Sequence, residues 1–403
     1  MADAPIRPLA HGRLYRLRAG KSARACGYVR FALDRGDGAP RERFAPLGGE
    51  LNLLMRAPQG SGTAFVHPDD ASIEPLGWRQ SALALMRRRY NAVRRSVLDF
   101  DGVEIFPDGS KAKTRKFRKQ LLFARSCRMA FDGPFVTGHP ELLAGWPTEV
   151  PVEVAPLDER AAAIAVALHL HYVELWDEIE TLLRRWRAPF TLFLTLTCDN
   201  PTLAARVRSA FPGAVVRAVD NQGRDVRPFL QLLEDGAFDS FDVVCKIHGK
   251  RSLGGDRLPI FGDVMRRAAY LDLIVGDNWA RGLVERFRDD VALGLVGPRR
   301  FLSASRTGAP RDVLGPNRAM VEALAQRMGA PIRGDDFDFF EGTMFWARPQ
   351  ALAPLRRLGL AAGGAFAPEA GQVDGALEHA VERLFNHAAR SAGYRVEEVS
   401  ADD

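Results

Sequence analysis

The chain has 403 residues, 46% of them hydrophobic and 26% charged, with a formal net charge of +6. This composition excludes a disordered chain, and the length suffices for two or three domains with sizeable cores. Cys26, Cys127, Cys198 and Cys245 form no C-x-x-C pair, so neither a disulfide framework nor a zinc site is expected and a reducing compartment fits.

The amino terminus, MADAPIRPLAHGR, has no apolar signal core. No run approaches the roughly 18 uncharged apolar residues of a spanning helix. The expectation is a cytoplasmic protein, at most peripheral on the inner face of the cytoplasmic membrane.

From Leu14 to about Trp78 short apolar or alternating runs, Leu14 to Leu17, Tyr28 to Leu33, Leu51 to Met55 and Thr63 to Val66, are divided by Gly/Pro/Asp turns. Residues 1–78 are expected to form a small antiparallel β accessory domain without a catalytic cluster. Ser81 to Val97 and Lys113 to Arg128 read as helices in a basic connector that, with a Pro-punctuated linker, fills 79–155. Met86 to Arg128 holds 13 Lys and Arg against 4 Asp and Glu, a local charge of +9. Such a block is either a solvated connector or a contact with an anionic membrane surface; nucleic acid is not expected, because the block lacks interleaved base-stacking aromatics.

After Pro156 the period changes. Ala162 to Leu170, Phe190 to Thr197, Ala214 to Val216 and Val243 to Cys245 read as buried parallel strands. Helices are predicted between them at Val173 to Trp186, Pro201 to Phe211 and Val226 to Leu233. The alternation specifies an α/β domain over 156–403 with a mostly parallel, Rossmann-like sheet flanked by helices. A helical stretch follows from Phe261 to Phe287, then strands at Ala292 to Val296 and Gly342 to Ala347, and a last helix from Asp374 to Ala392 closed by Gly393.

In an open α/β sheet, ligands bind beyond the carboxyl ends of the strands. The strand at Val243 runs into Lys246, His248 and Lys250, with Arg251 next, and these cations suggest a phosphate ligand. For His248 the plainer reading is a structural loop histidine. The first strand ends in His169, His171 and Tyr172. Tyr172 suits stacking on a base, whereas His169 is equally read as a satisfied core histidine. Asn221, Gly223 and Asp225 form either a base or ribose contact or an Asx turn. Phe337 to Trp346 crowds aromatics beside Gly342 and Thr343, so Trp346 is either the floor of a sugar pocket or core.

The ordered motifs His169-x-His171, Asn221-x-Gly-x-Asp225-x-x-Pro-Phe229, Lys246-x-His248-x-Lys250-x-Ser252, Gly294-x-x-Gly-Pro298, Gly342-Thr-Met-Phe-Trp346-x-Arg348-Pro and Glu369-x-Gly-Gln372-x-Asp374-Gly, followed by Glu378-His379 and Glu382-Arg383, resemble the rhamnan synthesis protein F family. The resemblance spans about Ala162 to Tyr394 and leaves the first 150 or so residues aside. It implies a GT-A-like glycosyltransferase taking a sugar, rhamnose by the family name, from a dTDP- or GDP-linked donor to a glycan or lipid-linked acceptor in bacterial surface polysaccharide or lipopolysaccharide synthesis. The runner-up is a non-catalytic carbohydrate- or nucleotide-binding subunit.

On the enzymatic reading Lys246, His248, Lys250 and Arg251 hold the diphosphate. His169, His171, Tyr172, Asn221, Gly223 and Asp225 meet the nucleoside, and Gly342, Thr343, Trp346, Arg348 and Gln372 meet the sugar or acceptor. Inverting transfer needs one carboxylate as base, either Asp374, an expected helix N-cap, or Glu369. GT-A enzymes usually neutralise the departing diphosphate with Mg²⁺ or Mn²⁺ held by an Asp-x-Asp pair. Here that strand end reads Lys246-Ile247-His248, so no metal ligand is assigned and the only cofactor expected is the nucleotide-sugar itself.

Overall fold

The computed structural model describes residues 7–18, 28–34, 41–46, 52–57, 62–67, 71–100, 102–109, 111–126, 136, 138–139, 141–146, 162–251, 260–275, 277–305, 312–334, 336–369, 371 and 374–402. Two compact units divide it: Met1–Gly145 with Lys250–Arg267, and Trp146–Gly249 with Ala268–Asp403.

The first unit holds strands β1 (Arg7–Leu9), β2 (Leu14–Arg18), β3 (Tyr28–Asp34), β4 (Arg41–Pro46), β5 (Asn52–Arg56), β6 (Gly62–His67), β7 (Ser72–Pro75), β8 (Leu98–Phe100) and β9 (Val103–Pro107). They form two antiparallel sheets, β1-β6-β3-β4 and β7-β2-β5-β9-β8. The hairpin β8-β9 lies inside the stretch expected to be a helical connector, and β9 pairs with β5 along Leu53 to Arg56. Residues beyond 78 thus complete a sheet begun by residues before it.

The two basic helices are present, at Trp78–Val93 and Lys111–Ser126. The first is mounted on the five-stranded sheet by Ala84, which joins Leu14, Leu54, Leu76 and Phe106 in one core cluster. The Arg88 guanidinium clasps the Glu104 carboxylate on β9, which carries Glu104 at an otherwise apolar buried position.

The second unit is the expected α/β domain. Strands β10 (Ile164–Leu170), β11 (Phe190–Leu196), β12 (Val215–Ala218), β13 (Val243–His248), β14 (Leu293–Pro298), β17 (Phe345–Ala347) and β18 (Arg395–Val399) form one sheet in the order β12-β11-β10-β13-β17-β14-β18. A separate hairpin pairs β15 (Leu302–Ser305) with β16 (Phe337–Phe340). The four strands on the β12 side run parallel, and every residue of β10 and β13 is buried, the burial on both faces that their unbroken apolar runs specify. Strand β17 is antiparallel to both its neighbours, β13 and β14.

Local signals set the helix ends. Asn200 caps Pro201–Ala210 by accepting from Leu203 N–H at 3.0 Å, with Pro201 at the first helical position. The helix Leu377–Ser391 ends at Gly393, whose φ of +88° lets Tyr394 N–H reach Ala389 C=O at 3.0 Å. Its start differs from expectation: Ala376, not Asp374, is the N-cap residue. The core gathers Phe229, Leu230, Phe345, Leu384 and Phe385 between the sheet and its helices.

Candidate functional site

Three loops of the second unit meet over the carboxyl ends of β10 and β13. Residues 220–225 follow β12, residues 341–344 precede β17, and residues 366–369, 371 and 374–376 lead into the last helix. Gln222 bridges Pro368, and Glu369 N–H reaches Asn221 C=O at 3.4 Å. At Gly223 a Cβ would sit 2.4 Å from the Phe366 ring, so only glycine admits this approach.

Arg224 and Thr343 are two of the three non-glycine residues with positive φ among the described residues, at +52° and +51°. Backbone held there costs on the order of 1 kcal/mol and persists only where surrounding contacts impose it. At these positions the contacts are ionic and hydrogen-bonded.

The deep part of the site is a buried charge pair. Lys246 Nζ lies 2.5 Å from Asp225 Oδ2, 2.8 Å from the Thr343 carbonyl and 3.1 Å from Thr343 Oγ1, so three acceptors take its three protons. Thr343 Oγ1 also donates to Asp225 Oδ2. Burial alone would raise the Asp225 pKa, but the facing His248 and Lys246 outweigh it and hold the carboxyl well below the usual range. Burial lowers the Lys246 pKa, with Asp225 opposing.

His248 Nε2 donates to the Gly342 carbonyl at 2.6 Å, while Gly342 N–H donates to Glu382. His169 pairs through Nδ1 with Thr195 Oγ1 at 3.0 Å, and burial pulls its imidazole down to about 3, leaving the ring neutral.

Several expectations are corrected by this geometry. Lys246 is 2% exposed and His248 7%, and Lys246 has no proton to spare for a diphosphate; both act as scaffold. His169 is buried, and Asp225 Oδ2 is engaged by Lys246 and Thr343. Trp346 is fully buried, stacks on Trp186 at 5.5 Å and donates to the Leu273 carbonyl, so it floors no sugar pocket. Arg348 is spent on the Leu293, Phe287 and Asp290 carbonyls. Thr343 is buried and committed to the pair, with Gly342 shaping its turn.

Lys250 and Arg251 fall in the first unit, where the Lys250 carbonyl accepts from Arg266. Gln372 lies outside the described residues. His171 is exposed at the end of β10, anchored by Thr197 Oγ1 at 2.9 Å, and Tyr172 packs edge-on against it.

The outer part of the site is an ionic rim. Arg224 Nε and Nη2 lie 2.8 and 3.2 Å from the two Glu369 oxygens, and Gly371 N–H donates to Glu369 Oε1 at 2.8 Å. The Arg224 hydrogen bond, offset in part by burial, keeps Glu369 below its ordinary pKa. Arg224 Nη1 lies 3.1 Å from His379 Nε2, and His379 Nδ1 faces Ala376 N–H at 3.2 Å. A neutral imidazole accepts at one nitrogen only, so one of these two contacts is a hydrogen bond and the other a close approach; burial and Arg224 lower the His379 pKa.

Asp374 accepts from Asn317 Nδ2 and Gly375 N–H on one oxygen, and from Arg383 Nη2 at 3.3 Å on the other. Burial raises its pKa, but these partners prevail and the group stays ionised. Its side chain is 35% exposed, against 24% for Glu369.

Arg224, His379 and Asn317 received no role in the sequence reading. Arg224 is an unspecified position within the Asn221-x-Gly-x-Asp225 motif, and only Gly223 beside it hinted at unusual backbone. Asn317 had no local signal at all.

A model of the rhamnan synthesis protein F family matches residues 148–394, more than half of the chain. The chain belongs to that family. This family member is also 29% identical over 232 residues to the uncharacterized protein WxcX of Xanthomonas campestris pv. campestris strain B100, covering 57% of the chain and 32% of WxcX. The match to WxcX of a second strain of the same pathovar has the same identity and coverage. The chain therefore spans about a third of the length of these curated relatives.

Among solved structures, 4-diphosphocytidyl-2C-methyl-D-erythritol synthase overlaps at 15% identity and a TM-score of 0.27, covering 59% of this chain and 89% of that one. Core-mannan synthase A from Aspergillus fumigatus, in a Mn/GDP form, overlaps at 10% identity and a TM-score of 0.29, covering 62% and 70%.

Proposed function

We propose that this family member is an inverting, GT-A-like glycosyltransferase, with transfer residing in residues 156–403. The carrying observation is the convergence of Glu369 and Asp374, on the loop before the last helix, over the carboxyl ends of the parallel strands in a chain of this family.

Asp374 is the base in this reading. It is the more exposed carboxylate, it stays ionised, and its Oδ2 has one long contact to give up when an acceptor hydroxyl arrives. Taking that proton makes the hydroxyl oxygen the nucleophile at the anomeric carbon, while the C–O bond to the nucleoside diphosphate breaks on the opposite face.

Arg224, half-exposed on the rim, replaces Lys246 as the cation for the departing diphosphate. His171 and Tyr172 take the nucleoside. The donor set at the β13 end does not suit a divalent ion, because Asp225 there is already neutralised by Lys246 and Thr343. Rhamnose as the sugar, a glycan or lipid-linked acceptor, and peripheral attachment to the cytoplasmic membrane through 86–128 complete the proposal.

The test is a thermal-shift panel of dTDP-rhamnose, GDP-rhamnose and other nucleotide-sugars, with and without Mg²⁺ or Mn²⁺, followed by transfer of radiolabelled sugar. One donor is expected to raise the melting temperature with metal chelated and then to be consumed. If none binds and none is transferred, the reading is wrong; binding without transfer or donor hydrolysis would favour the non-catalytic subunit.

A further inference from the structure

Of the eight large hydrophobic side chains that stand exposed among the described residues, six are on the single helix Trp78–Val93. The helix presents two stripes of the same spacing, a mixed inner one and an apolar outer one. Ser81, Ala84, Arg88 and Asn91 face the sheet, with Ala84 and Asn91 buried and Arg88 on Glu104. Leu83, Met86, Tyr90 and Val93 repeat that spacing two residues later, which at 3.6 residues per turn is about 200° around the axis. They point away from the sheet, with Met86 61% and Val93 87% exposed.

Arginines edge the outer stripe: Arg79, Arg89 and Arg94 are exposed, and no acidic residue occurs from Trp78 to Arg95. On the second basic helix, Lys111–Ser126, Phe117 and Leu121 are buried.

We propose that this outer face lies on a membrane surface of anionic lipid, the stripe entering the acyl boundary and the arginines meeting phosphates. An apolar stripe needs an apolar partner and its arginine border needs an anionic one, and an anionic bilayer supplies both. A soluble polyanion would leave Met86 and Val93 in water, and a second copy of the chain would set arginines against arginines. Tyr90 in the stripe is a side chain of the type that favours the lipid interface. No described helix is long and apolar enough to cross a membrane, so the contact lies in the plane of the surface. The proposal narrows the membrane contact offered above from 86–128 to one face of one helix, and it is independent of which sugar is transferred.

The test is flotation of the full chain with vesicles of phosphatidylcholine alone or mixed with phosphatidylglycerol. Binding is expected only to the mixture, weakening as salt rises. Met86→Asp and Val93→Asp should each lower it about tenfold, and Arg89→Gln about fivefold. These side chains are exposed, so circular dichroism and any nucleotide-sugar thermal shift should match the wild type. Failure to float, equal flotation on neutral vesicles, or wild-type binding by Met86→Asp would overturn the proposal. So would lipid-free self-association that Met86→Asp abolishes, which would give the face to a second copy. None of these outcomes bears on sugar transfer, whose own readout is separate.

Discussion

Arg224 and Asp225 are adjacent in the chain and serve opposite halves of the site. Asp225 turns inward to a lysine 2% exposed, where each charge answers the other and Thr343 takes the remaining valences. Arg224 turns outward to a glutamate 24% exposed, in a pair open to solvent and to exchange of partners. A buried pair is costly to break because the survivor is left uncompensated, whereas a rim pair holds by about 0–1 kcal/mol. Burial thus separates charges that shape the cleft from charges that can act in it.

The largest effect should come from breaking the inner pair. Lys246→Met strands the Asp225 carboxylate and should cost about 3–5 kcal/mol in denaturant unfolding. Adding Asp225→Asn should recover much of that loss. If Lys246→Met unfolds like the wild type, the division between scaffold and rim is mistaken.

On the rim the readout moves to chemistry. Asp374→Asn should reduce sugar transfer by about 10²-fold or more, with a melting temperature close to wild type. Glu369→Gln should cost less; a deeper loss there than at Asp374 would exchange the two assignments.

A third measurement separates the halves by pH. His169 is neutral in the fold down to about pH 3, whereas an unfolded histidine titrates near 6.5. The unfolded chain therefore binds the extra proton first, and stability should fall as pH drops from about 6.5 toward 3, by about 1.4 kcal/mol per pH unit. His169→Asn should flatten that slope in urea unfolding at pH 7, 6 and 5.

The smallest change in stability belongs to Arg224→Gly. Relief of the positive φ, worth about 1 kcal/mol, offsets loss of the Glu369 pair, so unfolding should barely shift. Affinity for nucleoside diphosphate, by calorimetry, should nevertheless drop about tenfold. Unchanged affinity would remove Arg224 from the diphosphate site.

Much of the fold was legible before the structure. The runs at β10, β11 and β13 are continuous and apolar because those strands are covered on both faces, and such runs can be read directly. The Asn200-Pro201 start and the Gly393 stop were equally visible, since caps act within a few residues. The hairpin β8-β9 falls between the two expected helices, in a stretch expected to be connector, and the partner strand that decides the matter, β5, lies some 50 residues earlier.

The site residues divide in the same way. Their motifs marked where the chemistry gathers, but chemical type could not say which cations were spent. Lys246 reads as a diphosphate cation and Arg348 as a sugar or acceptor contact; the first is enclosed by a carboxylate and Thr343, the second by backbone carbonyls. Arg224 read as a spacer and is the cation that faces outward. It meets Glu369 across 145 residues of chain. Local patterns reach a few residues along the backbone and so determine strands, helices, caps and family. Whether a given charge is neutralised inside or presented at the cleft depends on partners that approach only when distant loops close over the sheet.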